Sequence, residues 1–210
     1  MSAAARGAWL LALAPLLAAA QAGPPAFTAP PGSARAPAHA DAAPAMDGLR
    51  LGQDALDLYR RTCAAAAGDA AGLIDRALAA GLQPYQGEGA SSAAGLLGGA
   101  AGLVFVPPGR GALLQLALAG DGRCTVWAQF AIGPVLKAGF MSLVESLRVP
   151  GSSLRTTQDR MVQLAGGWRQ QIGFELRDAH GAYGFDAVTL LSDQPGVQAL
   201  SSAALPGAGR

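Results

Sequence analysis

Asp178 and His180 stand two residues apart in a stretch that reads as a turn, where they could serve as a general base and its orienting carboxylate. A serine nucleophile would complete such a hydrolase site, but no serine stands out as partner. An Asp–His pair in a turn is far more commonly an ordinary solvated loop. The acids Glu88, Asp121, Glu145, Asp159, Glu175, Asp178 and Asp186 could supply the two carboxyl groups of a glycosidase-like site. Nothing in their spacing brings two of them together. There is no G-x-S-x-G elbow, H-E-x-x-H pair or Walker lysine loop, and no G-x-G-x-x-G follows a strand. Of the 2 histidines, His39 lies in a Pro-rich stretch and reads as spacer, so no histidine metal cluster and no cofactor is implied.

Cys63 and Cys124 are the only cysteines. In an oxidising compartment they read as a disulfide, closing a loop of about 60 residues worth about 4 kcal/mol at most by chain entropy. Two free buried thiols or a redox pair are the alternatives. The lack of a C-x-x-C motif speaks against redox chemistry, and the lack of a neighbouring histidine speaks against zinc. Trp127 is the other residue of interest. Strand alternation sets it opposite Cys124, between Thr125 and Gln129. Uncovered, it would mark an interaction surface for a partner or ligand; covered, it would pack under a neighbouring element.

The compartment follows from the N-terminus. Arg6 precedes an apolar run from Ala8 to Ala20, and Ala20-Gln21-Ala22 forms a small-x-small site. Residues 1–22 therefore read as a cleavable signal peptide, since the run of about 13 residues is too short to span a bilayer. No cysteine stands at the cut to take a lipid. The expected mature protein is periplasmic or secreted. Losing Arg6 takes the 15 basic residues to 14, against 14 acidic. Such a balance excludes a phosphate-tracking nucleic-acid groove and a polybasic membrane patch. Residues 23–46 are rich in proline and alanine and read as a disordered tether that cannot bury enough apolar surface to order itself. Residues 47–210 are enough for a single domain with its own core.

Within that domain, 51–67 and 70–80 have helical apolar spacing, with Asp69 as N-cap of the second and Gly81 and Pro84 as its stop. The Gly-rich stretch 87–108 reads as a short helix running into a buried strand rather than a membrane helix, because large apolar residues are few. Leu114, Leu116 and Leu118 alternate up to Gly120-Asp121-Gly122, and Cys124, Val126, Ala128 and Phe130 return on one face, which makes a hairpin. Pro134 opens a third helix with Leu136, Phe140, Val144 and Leu147 on its inner side. Trp168, Gln170, Ile172, Phe174 and Leu176 alternate as the inner side of a strand, and Tyr183, Phe185, Ala187, Thr189 and Leu191 form its partner. An uncertain strand or pair at 154–164 and a last one near 197–205 complete the set. The fold expected is α+β: an antiparallel sheet of about five to six strands with two to three helices packed on one face.

Tyr59-Arg60-Arg61-Thr62-Cys63, the Gly68-Asp69 break, Gly81-Leu82-Gln83-Pro84, Gly122-Arg123-Cys124 and Gly196-Val197-Gln198-Ala199-Leu200 carry a resemblance. Across 54–205 the chain resembles a family of small uncharacterised secreted or lipoprotein-like proteins of proteobacteria. The resemblance implies one cysteine on the first helix, one on a central strand, and a periplasmic setting. It implies no activity and no catalytic residue. With no catalytic constellation, the expected function is a non-enzymatic binding or interaction domain for an unknown envelope protein or ligand; the alternative is a hydrolase-type envelope enzyme around His180.

Overall fold

The computed structural model describes residues 45–67, 69–85, 95–111, 113–164, 167–191 and 196–206. The expected signal peptide, nearly all of the expected tether with His39, and Glu88 lie outside the described residues. Helix α1 (Ala45–Tyr59) starts where the tether was expected to end and continues without a break into a π turn (Arg60–Ala64) that carries Cys63. Helix α2 (Ala70–Ala79) is capped by Asp69, whose side chain accepts from the Gly72 backbone N–H at 2.9 Å. Gly81, at φ 78°, closes it. Helix α3 (Gly133–Ser146) buries Leu136, Phe140 and Val144.

The strands are β1 (Gln83–Pro84), β2 (Gly102–Val106), β3 (Leu114–Ala119), β4 (Cys124–Ala131), β5 (Ser153–Leu164), β6 (Gly167–Arg177), β7 (Ala182–Leu190) and β8 (Gly196–Ala204). All are antiparallel in one 8-stranded sheet of order β1-β2-β3-β4-β8-β7-β6-β5. This overturns the expected sheet of five to six strands forming an α+β sandwich with helices on one face. The molecule is mostly sheet, with 8 strands and only three helices among the described residues. Two physical causes account for the difference. β1 is only 2 residues long, too short to show a period. β5 is a 12-residue edge strand whose sequence does not alternate, because an edge strand has little to bury.

The sheet also has apolar residues on both faces. On one, Phe105, Leu116, Val126, Phe185 and Leu200 pack with Leu58, Tyr59, Cys63, Leu136 and Phe140 from the helical segments. On the other, Val104, Ala117, Trp127, Val188 and Ala199 form a second cluster with Leu96 and Leu97 from the turn before β2. The Cys63–Cys124 disulfide, with Cα atoms 5.3 Å apart, ties the π turn to β4. Two buried hydrogen bonds extend that tie to β8. The Tyr59 hydroxyl donates to the Ser201 carbonyl at 2.8 Å, and the Ser202 hydroxyl donates to the Cys63 carbonyl at 3.0 Å. Full burial pushes the Tyr59 phenol far above its usual range, so it stays a donor. At the other end of the sheet, a Cβ on Gly133 would overlap the Leu190 carbonyl oxygen, so glycine lets α3 begin directly against β7.

Candidate functional site

The structure brings two of the candidate acids, Glu175 and Asp186, together as diagonal neighbours and keeps His180 and Trp127 apart from them. His180 is exposed, and its backbone N–H donates to Asp178 Oδ1 at 2.7 Å. The Gly181 N–H does the same at 3.0 Å. Asp178 therefore shapes the β6–β7 turn through backbone groups, a role that short acidic side chains commonly take. No grouping of three or more metal-ligating side chains occurs among the described residues.

Trp127 is buried, at 6 % exposure, inside the second apolar cluster. Of the two settings the sequence left open for it, the covered one holds, in a cluster that includes Leu96 and Leu97. The tryptophan that the structure exposes is Trp168, at 55 %. Strand alternation set Trp168 on the inner side with Ile172 and Phe174, and it does lie on that side. Next to it, Lys137 of α3 donates to Gln170 Oε1 at 2.8 Å. Beyond it, Gln163 pairs with Trp168 and Met161 with Gln170, so Met161 and Trp168 are diagonal neighbours on one face. Leu191 directly follows Leu190, the last residue of β7 and the partner of Arg169 on β6. Met161 on β5 is 44 % and Leu191, just after β7, is 50 % exposed, making an apolar trio with Trp168 near this end of the sheet.

Phe130 breaks the expected alternation of β4. The register shifts between Ala128 and Ala131, and Phe130 takes φ 65°, a conformation that bulky residues rarely hold. It lines a cleft of about 220 Å³ with Leu51, Leu113, Asp54 and Arg110 beside α1. Asp54 and Arg110 form an ion pair across the mouth of that cleft and satisfy one another.

The face opposite α1 and α3 carries, beside its apolar residues, polar side chains on β5, β6 and β7. Glu175 accepts from Arg155 at 2.5 Å and from Arg177. The Arg155 hydrogen bond holds the Glu175 carboxyl below its usual range. Asp186 stands diagonal to it, opposite Gly173, and accepts from Gln158 Nε2 at 2.6 Å. Burial raises its carboxyl. Two acids with ionisation pushed apart resemble an acid–base division of labour. Both are nonetheless held by protein partners, and the described clefts lie at α1. The pH consequence can be tested. A raised acid favours folding most when protonated, and that contribution fades as pH rises through its folded-state range. Asp186→Asn, which keeps an acceptor for Gln158, makes the protein more stable at pH 7 than the parent. The gain shrinks toward pH 4, and urea unfolding at the two pH values checks it. Lower stability of the variant at pH 7 would refute the sign.

No family model and no curated protein matches the chain. Fold and site together define a disulfide-braced antiparallel-sheet domain with an exposed apolar hairpin. Among the described residues no helix is long and apolar enough to cross a membrane. The disulfide is compatible with an extracytoplasmic setting.

Proposed function

We propose that the chain is an exported binding domain of the periplasm or the secreted fraction, and that it engages an envelope partner through the end of its β5–β6 hairpin. The observation that carries this reading is Trp168, more than half exposed with Met161 and Leu191 beside it. An ordered aromatic with flanking apolar residues forms the centre of many interfaces, because it offers area at little entropic cost. The neighbouring Lys137–Gln170 bond supplies a polar rim. No observation favours a hydrolase centred on His180, whose main chain serves the turn.

The test is a photo-crosslinker placed at position 161 of the full exported protein in intact cells. A discrete crosslinked species is expected, reduced about tenfold or more by Trp168→Ala, the loss typical of a central aromatic anchor. Leu103→Ala, an exposed apolar control on β2, leaves it unchanged. Unchanged crosslinking in Trp168→Ala, with its melting temperature preserved, would remove the reading.

A further inference from the structure

Arg169 and Arg160 differ from most of the other arginines on this sheet, because neither has an acidic partner among the described ion pairs. Arg169 is 7 % exposed, and its Nη1 is buried with no hydrogen-bond partner among the described residues. The register explains why. Arg169 faces Val162 on β5 and Leu190 on β7, with Leu164 and Val188 diagonal to it. None of these side chains can accept a hydrogen bond. Gln171 follows on the same face of β6, is also buried, and lies directly opposite Arg160. Its Oε1 accepts from both Arg160 Nε and Nη2, at 3.1 and 3.0 Å. Arg160 itself is exposed at the sheet edge.

A buried guanidinium with an unused N–H is costly, and the cost is relieved when an oxyanion takes that hydrogen. We propose that Arg169, Gln171 and Arg160 form a binding site for a small oxyanion, carboxylate or phosphate, that enters past Arg160 and accepts from Arg169 Nη1. Arg160 closes over the ligand from the open side, while Gln171 holds the Arg160 fork in position and offers its own amide N–H. Planar guanidinium groups suit both oxyanions, because each presents paired oxygens to the fork. Desolvation already lowers the Arg169 pKa, consistent with a cation that lacks a counter-charge. The site is on the opposite face from the Trp168 trio and stands or falls separately from it.

The test is calorimetric titration of the full exported chain with inorganic phosphate in one arm and sodium succinate in the other, at constant ionic strength. Saturable binding of one stoichiometric anion is expected in at least one arm, and the arm that binds identifies the source. Arg169→Gln weakens it about tenfold or more, as loss of a charged hydrogen bond does. Arg160→Gln, a change at an exposed residue that leaves the fold in place, weakens it as well and serves if the Arg169 variant does not fold. Arg155→Gln on the same face leaves it unchanged. No saturable binding in either arm, or binding indifferent to Arg160→Gln, overturns the proposal.

Discussion

Replacing both Cys63 and Cys124 with alanine lowers the unfolding free energy by about 3–5 kcal/mol. The cysteines are 61 residues apart in sequence, so the bond removes about 4 kcal/mol of loop entropy from the unfolded chain by the chain-entropy model. It also acts where other constraints converge. Cys63 sits on the π turn whose carbonyl receives Ser202, four residues after the Tyr59 that reaches Ser201. Urea unfolding of the parent with and without reductant should reproduce the double variant, and the reduced protein should unfold with a larger denaturant slope because its unfolded chain is less compact. A loss under about 1 kcal/mol would mean that hydrogen bonds and packing alone hold the π turn on the sheet.

Phe140→Ala destabilises the protein by about 3–5 kcal/mol. The ring is fully buried and stands 5.9 Å from the Tyr59 ring and 6.1 Å from that of Phe174, measured between centroids. It therefore joins α3 to α1 on one side and to β6 on the other. Truncation empties the centre of the core, where α3 cannot sink further because Gly133 already touches β7. Thermal unfolding gives the readout, with Phe140→Leu as the milder comparison. A cost near that of a surface substitution would show that this core can close around the gap.

Local chemistry made several elements legible before any coordinates. Asp69 and Gly81 bound α2 as their side-chain and backbone preferences dictate, and Gly120-Asp121-Gly122 turns β3 into β4. Phe140 and Val144 announce α3 by spacing alone. Alternation also assigned most strand faces, but it says nothing about what covers a face. Alternation therefore left Trp127 open between a covered and an uncovered setting, and only the structure shows that it is buried in the second cluster while Trp168 is exposed. The Arg169–Gln171 site was hidden for the same reason. Both residues alternate as solvent-facing polar positions, and only the register shows that Val162 and Leu190 flank a buried cation. Phe130 falls at a bulge, which shifts the period by one residue and leaves no mark in composition. β5 was legible only as an uncertain strand or pair at 154–164, because its backbone bonds to β6, rather than burial, hold it in place.

The position of β8 between β4 and β7 has a consequence for assembly. β1 to β4 and β5 to β7 are each sequential ribbons that can form as the chain emerges, but each then ends in an open row of amides. Only the late-synthesised strand joins them, so β8 acts as a keystone. A chain stopped before Gly196 would carry two unjoined half-sheets, each with a sticky margin, and self-association rather than simple loss of stability would be its characteristic failure.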